Sequence, residues 1–398
     1  MLRSPLLIVA DENIPYVRQA FGPFGEVRLV PGREISAAHV RGADALLVRS
    51  VTRVDRALLD GSSVRFVGTA TIGTDHVDRA WLRARGVAFA HAPGSNASSV
   101  VEYVLAALLR LSVRQGRALR GRTVGIVGCG NIGGRLARRL PALGVRVLRN
   151  DPPLAEAAER RGEPHPFVPL EALLSDADVV TLHVPLTREG PHATRGLFGA
   201  EALRRMRPDA WLVNTARGPV VSNAALLDAI AAGRPAATVL DVWEGEPNPD
   251  PDLIRRVDLG TPHIAGYSYD GKVRGTVMLY RAFVERFGLP DVWEPEEAFA
   301  SGPDDRLRLT PPETPRPETE WLDAVARQMY DLEADDRRFR RILNRPPDER
   351  GAYFTRLRKT YPRRRAFTRH TMAAAPVPPA FRPALTEGLG VRLVGPQR

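Results

Sequence analysis

The stretch Thr123-Val-Gly-Ile-Val-Gly128-Cys-Gly130-Asn-Ile-Gly133-Gly constrains this chain more than any other. An apolar run ends in a glycine turn, a helix-forming run follows, and a second apolar run, Val145-Arg-Val-Leu-Arg-Asn150, ends at Asp151, 18 residues past Gly133. That order reads as strand, turn, helix, strand, acid. Gly128 suits a tight turn, Gly130 a close backbone approach to phosphates, and Gly133 packing of helix on strand. The N–H groups of the turn, with Asn131 and Ile132, and the positive end of the helix would face a pyrophosphate. Asp151 stands where a carboxylate takes the adenosine ribose hydroxyls and repels a 2′-phosphate, so the expected cofactor is NAD rather than NADP.

Strand and helix signals alternate on both sides of this unit. Leu6–Ala10, Ala43–Val48, Val64–Gly68 and Val87–Ala90 read as strands before it, with a helix about Arg79–Arg85. Val124–Val127, Val145–Leu148, Val179–Leu182, Trp211–Asn214 and Val239–Val242 read as a second set. Such alternation predicts parallel sheets with right-handed crossovers. The expected fold is α/β: two Rossmann-like, doubly wound parallel-sheet domains and a smaller C-terminal α+β domain. Residues 1–98 form a substrate-binding domain, completed by about 268–288, through a helix expected over Lys272–Phe287. Residues 99–267 form the NAD-binding domain, and 289–398 a dimerisation or accessory domain with loose segments. A helix over Asn96–Arg110 joins the first two, with Ser99 and Glu102 at capping-box spacing. Another is expected over Glu320–Leu343.

The 398 residues carry a net charge of +11, much of it in the last quarter, where 20 Lys and Arg face 13 Asp and Glu. Without a nucleic-acid-binding motif, that charge fits acidic, phosphorylated substrates better than nucleic acid. No apolar run is long enough to span a membrane, and Asp11-Glu12 follow the first apolar run where a signal peptide would need a cleavage site. A cytoplasmic protein is expected. The single cysteine, Cys129, excludes an internal disulfide and a cysteine-based metal cluster; no metal and no redox role are expected.

Three motifs downstream each follow a predicted strand: Asn214-Thr-Ala-Arg217-Gly, Leu240-Asp241-Val-Trp-Glu-Gly-Glu246-Pro and Thr261-Pro-His263-Ile-Ala-Gly266-Tyr267. All three therefore fall at the carboxyl edge of the sheet, where open α/β sheets bind ligands. Arg217 offers a bidentate clamp for a carboxylate, His263 a base with a pKa near neutrality, and Glu246 an acid to orient it. Hydride transfer from a secondary alcohol to NAD needs that set. Taken singly, each residue also fits an ordinary structural role: a loop anchor, a turn residue or a cap.

Together the glycine turn and the three motifs resemble the D-isomer-specific 2-hydroxyacid dehydrogenase family. Within it, Asp11-Glu-Asn13-Ile-Pro15-Tyr16, Val48-Arg49-Ser50-Val-Thr52, Val67-Gly-Thr-Ala-Thr71-Ile-Gly-Thr-Asp75-His76 and Gly266-Tyr267 resemble a branch acting on a small phosphorylated 2-hydroxyacid in pyridoxal 5′-phosphate biosynthesis. The resemblance implies Arg217, Glu246 and His263 as catalytic residues. It implies Asp151, Asp241 and Gly266 at NAD, and Ser50, Thr71 and Tyr267 at substrate, with neighbouring Arg49 neutralising charge. It also implies a homodimer formed through the C-terminal domain. His183 is expected to line the cofactor cleft without a catalytic role. The alternatives are another substrate of the same class (3-phosphoglycerate, glyoxylate or hydroxypyruvate) and an NAD-sensing regulator on the same scaffold.

Overall fold

A computed structural model describes residues 5–299 and 307–395. It divides into two compact units, Met1–Asn96 with Ser268–Asp305, and Ala97–Tyr267 with Arg306–Arg398.

The first unit is a five-stranded parallel sheet of β1 (Leu6–Asp11), β2 (Gly25–Val30), β3 (Ala45–Val48), β4 (Phe66–Thr69) and β5 (Ala88–His91), in the order β2-β1-β3-β4-β5. Strands β3 and β4 are buried throughout and read as unbroken apolar runs, as strands covered on both faces must. Strand β2 was not legible in the sequence. It lies at the sheet edge, and exposed Glu26 and Arg28 break its apolar pattern. The helix Tyr269–Phe287 belongs to this unit and packs Leu279, Tyr280 and Phe283 against Phe21, Phe66 and Leu47. Tyr280 and Phe283 meet Phe21 edge to face, at centroid distances of 6.0 and 5.1 Å.

The second unit holds a six-stranded parallel sheet of β6 (Thr123–Val127), β7 (Arg146–Asn150), β8 (Val179–Leu182), β9 (Trp211–Asn214), β10 (Ala237–Leu240) and β11 (Leu259–Gly260), in the order β11-β10-β9-β8-β6-β7. Strand order reverses at β6, which has β7 on one side and β8 on the other. The glycine turn leaves β6 at this switch point. The helix Ala97–Arg114 is buried along most of its length. The capping box expected at Ser99 and Glu102 does not form. The helix begins two residues before Ser99, both residues are buried within it, and the Glu102 carboxylate accepts the Phe367 N–H at 2.9 Å.

The C-terminal residues contain a third sheet of β12 (Leu307–Leu309), β13 (His370–Ala373) and β14 (Arg392–Val394), also parallel. The helix expected over Glu320–Leu343 is two helices, Glu318–Met329 and Leu332–Arg340. The break falls at Tyr330-Asp331, where the Asp331 carboxylate accepts the Ala334 N–H and starts the second helix. Some arginines of this region pair within the fold. Arg340 bonds Asp336 at 2.9 Å and donates to the carbonyls of Ile254 and Val257, tying the region to the strand-β11 edge. Asp336 also accepts the Gly260 N–H at 2.7 Å. These contacts hold the C-terminal residues from 307 in the same compact unit as the dinucleotide sheet, whereas 289–299 belong to the first. Among the described residues, no helix is long and apolar enough to cross a membrane.

Candidate active site

The glycine turn can be tested residue by residue for a fit to a dinucleotide. Gly128 has φ +88°, and a Cβ there would stand 2.8 Å from the His183 carbonyl carbon and the Val184 nitrogen. At Gly133 a Cβ would fall 2.0 Å from the Gly128 carbonyl oxygen. The chain itself thus demands glycine at both positions. At Gly130 a Cβ would meet no atom within 4 Å, so the protein leaves that side of the turn open. An open, Cβ-free backbone at the start of a helix is what a pyrophosphate requires. Asn131 is exposed there and Ile132 half-buried.

Asp151 closes the turn from β7. One carboxylate oxygen accepts the Cys129 N–H at 2.8 Å, and the other caps the next helix through Leu154 N–H at 3.1 Å. Burial, with Asp151 beside it, pushes the Cys129 thiol up to about 12, so it is a neutral side chain filling the turn. His183 lies between the hydroxyls of Thr181, at 2.9 Å, and Thr215, at 3.2 Å. Burial drives its pKa down to about 3, so near neutral pH the ring is neutral, with a proton on one nitrogen only.

The three downstream motifs are joined by backbone packing. Asn214, the last residue of β9, folds its side chain over the next turn: it accepts the Ala216 N–H at 3.0 Å and donates to the Arg217 carbonyl at 3.1 Å. A Cβ on Gly218 would lie 2.0 Å from the Trp243 carbonyl carbon and oxygen. Only glycine lets the Arg217 loop rest on the loop that carries Glu246. The Arg217 guanidinium donates to the Ala216 carbonyl at 2.8 Å.

Glu246 and His263 meet. The Glu246 Oε2 and His263 Nδ1 are 2.8 Å apart, and Glu246 Oε1 accepts the Trp243 N–H at 2.9 Å. Burial acts to raise the Glu246 pKa, but the His263 charge and hydrogen bond, together with the Trp243 N–H, outweigh it and the net shift is downward. An ionised Glu246 accepts a proton-bearing Nδ1. That tautomer leaves the Nε2 lone pair as the base. His263 has φ +58°, a left-handed conformation that costs a non-glycine residue. Asp241 supports it. This carboxylate is 1% exposed and accepts from Thr261 Oγ1 at 2.6 Å, Ile264 N–H at 2.7 Å and Ala265 N–H at 2.9 Å, while its carbonyl takes the His263 N–H at 2.7 Å. Tyr103 donates in turn to Thr261 at 2.7 Å. Asp241 thus sets the loop that aims His263 and Gly266.

C-terminal residues that the sequence did not single out pack against this loop. Arg364 is 6% exposed, donates to the Ala265 carbonyl at 2.7 Å and lies 4.2 Å over the Tyr330 ring. Tyr361 meets Tyr267 edge to face at 5.8 Å, and the Arg358 guanidinium lies 5.6 Å over the Tyr267 ring. Phe339 supports Trp243 at 5.2 Å. The signal available in sequence was slight: Tyr330-Asp331 and Leu357-Arg-Lys-x-Tyr361 are short fragments of the family resemblance, with no spacing that places them at this loop.

In the first unit, Ser50 is exposed and Arg49 half-buried just past β3. Thr71 follows β4. Its hydroxyl pairs with that of Thr69 at 2.8 Å and reaches the Gly73 carbonyl at 3.1 Å.

Residues 99–265 match the D-isomer specific 2-hydroxyacid dehydrogenase NAD binding domain, and residues 313–380 match a domain of unknown function (DUF3410). The chain is 57% identical over 390 residues to the erythronate-4-phosphate dehydrogenase of Salinibacter ruber, covering 98% of this chain and 100% of that one. The chain belongs to the erythronate-4-phosphate dehydrogenase family. Its likeness to the enzyme of that name from Azotobacter vinelandii is 51% over 359 residues, 90% of this chain and 92% of the other. Among solved structures, the D-lactate dehydrogenase of Aquifex aeolicus in complex with NAD and lactic acid is 25% identical, with a TM-score of 0.57, over 70% of this chain and 96% of that one. The chain is an NAD-dependent oxidoreductase of the 2-hydroxyacid dehydrogenase class.

Proposed function

We propose that the enzyme oxidises 4-phospho-D-erythronate at C2, giving 2-oxo-3-hydroxy-4-phosphobutanoate and NADH, in the biosynthesis of pyridoxal 5′-phosphate. The relatives that match over nearly the whole chain bear the name of that activity. The observation that carries the chemistry is the 2.8 Å Glu246–His263 contact on a loop that follows the dinucleotide sheet. Arg217 holds the substrate carboxylate as a two-pronged clamp. Arg49, Ser50, Thr71 and Tyr267 hold the remainder of the substrate. His263 Nε2 takes the C2 hydroxyl proton as the C2 hydride leaves, and Glu246 stabilises the imidazolium that forms. Bound NAD supplies the hydride acceptor. Gly128, Gly130, Asn131, Ile132 and Gly133 hold its pyrophosphate, Asp151 its adenosine ribose, and the Asp241–Gly266 turn its nicotinamide end. We further propose a homodimer, assembled through the C-terminal region and working in the cytoplasm; sedimentation of the full chain tests the assembly.

The test of the reaction is a panel of phosphorylated and plain D-2-hydroxyacids with NAD, followed by NADH absorbance. 4-Phospho-D-erythronate should give the highest kcat/KM. A higher value for 3-phosphoglycerate or glycolate would overturn the substrate assignment and leave the reaction class standing.

A further inference from the structure

The helix Tyr269–Phe287 begins where the loops of the first sheet's carboxyl edge come together. Ser268 caps it through the Gly271 N–H at 3.0 Å. The Tyr269 hydroxyl meets that of Tyr16, past β1, at 2.6 Å, and Arg274 reaches the Ser95 carbonyl, past β5, at 3.5 Å. Gly275 rests on the loop past β4: a Cβ there would sit 3.1 Å from the Ala70 carbonyl oxygen. The Ala70 N–H in turn donates to the Val48 carbonyl at 2.9 Å, which sets Arg49 beside Ala70 and Thr71. Lys272 stands three residues before Gly275, on the same face of the helix and one turn nearer its start. The first turn of the helix therefore brings an ammonium to the loops that carry Arg49, Ser50 and Thr71.

Two cations share this place. Burial, and after it the Arg49 charge, lower the Lys272 pKa to about 8. Arg49 buries Nη1 without a hydrogen-bond partner. A buried guanidinium nitrogen lacking an acceptor, next to a second cation, is costly for the protein by itself. An anion with several acceptor oxygens supplies the acceptor that Arg49 Nη1 lacks.

We propose that Lys272 and Arg49 form the recognition site for the terminal phosphate of the substrate, and that Lys272 makes the enzyme select phosphorylated over plain 2-hydroxyacids. This deepens the reading above and rests on it for the identity of the substrate. A phosphate monoester near neutral pH carries about 1.5 to 2 negative charges, enough to balance the pair. Ser50 stands next to Arg49 in the same loop and adds a hydroxyl.

The experiment compares kcat/KM for 4-phospho-D-erythronate and D-erythronate in the wild-type enzyme, Lys272→Gln and Arg49→Gln, with thermal melts to show that each variant is folded. Loss of one charged hydrogen bond to phosphate predicts that the preference for the phosphorylated substrate falls about 10- to 100-fold in each variant, mainly through its KM. A merely structural role would lower both substrates alike and leave the ratio unchanged. That outcome, in a folded variant, overturns the proposal. If wild type itself shows no preference for the phosphorylated substrate, the substrate assignment fails. The anion site is then decided by inorganic phosphate: competitive inhibition lost in Lys272→Gln upholds it, and inhibition absent or unaltered ends it.

Discussion

Replacing Glu246 by Gln isolates the part of catalysis that depends on the acid beside the base. The substitution keeps the size of the side chain and removes its charge. In the wild-type enzyme Glu246 has two tasks, accepting the Trp243 N–H at 2.9 Å and facing His263 Nδ1 at 2.8 Å. Glutamine has one acceptor oxygen for these two donors. If that oxygen keeps the Trp243 N–H, the amide N–H₂ turns to His263 and donates to Nδ1, so the ring proton moves to Nε2 and the base is lost. If it turns to His263 instead, the neutral amide stabilises the imidazolium less than the carboxylate does. The side chains are 32% and 22% exposed, so solvent screens the pair only in part. A hydrogen bond to a charged group contributes about 1.5–3 kcal/mol. At about 1.4 kcal/mol per decade that is roughly a 10- to 100-fold fall in kcat, with the wrong tautomer pushing toward the larger loss. The assay is steady-state NADH formation, with NADH affinity by fluorescence as the control; the affinity should hold, since neither residue belongs to the glycine turn. A folded Glu246→Gln enzyme with kcat within about twofold of wild type would refute the base-and-orienter account.

Other perturbations separate the remaining parts. Asp151→Ala removes an acceptor from the Cys129 N–H and a helix cap together; NAD affinity should fall by about tenfold or more, with discrimination against NADP relaxed, and an unchanged NAD/NADP ratio would count against the ribose assignment. Gly218→Ala forces a Cβ onto the Trp243 carbonyl, 2.0 Å away; it should cost roughly 1–3 kcal/mol in thermal or denaturant unfolding and lower kcat by displacing the Glu246 loop, and full activity would show that the two loops are not coupled. Asp336→Ala leaves the Arg340 guanidinium and the Gly260 N–H without their acceptor; unfolding by denaturant should show a loss of about 2–3 kcal/mol, and no loss would mean that the C-terminal region does not hold the edge of the dinucleotide sheet. The lowered Glu246 pKa carries a pH signature. Its contribution to stability is present in full above the ordinary carboxylate range and is lost as pH falls through the lowered folded value, so melting curves of wild type and Glu246→Gln should converge in acid; a constant gap at every pH would place the difference elsewhere.

Which parts of this enzyme were legible in sequence follows from where each residue finds its partner. The glycine turn was legible because Gly128 and Gly133 answer to atoms a few residues away or on the adjoining strand. Buried strands such as β8 and β9 announce themselves as apolar runs, since both faces are covered. The Glu246–His263 pair spans 17 residues and was reached through motif order rather than through any local pattern. Lys272 is not legible because it sits in a polar first turn of an otherwise regular helix, where an exposed lysine is the ordinary expectation; the Arg49 charge that acts on it comes from a residue 223 positions earlier in the chain. The roles of Arg358, Tyr361 and Arg364 were hidden for the same reason. Their partners, Tyr267, Ala265 and Tyr330, lie between 34 and 99 residues away in the chain, and no spacing rule reaches so far. Asp241 is a different case. A buried acid after a strand, followed 20 residues later by Thr-Pro-His, reads equally well as a ligand contact or as a loop anchor. Three hydrogen bonds to the loop that aims His263 give it the second task, and that task is sufficient to require an aspartate there. Alanine would leave the buried Ile264 and Ala265 N–H groups both unsatisfied, and asparagine, with its one acceptor oxygen, would leave one of them so, at the point where the catalytic histidine adopts a left-handed backbone. The catalytic geometry therefore depends on a residue that need never touch the substrate.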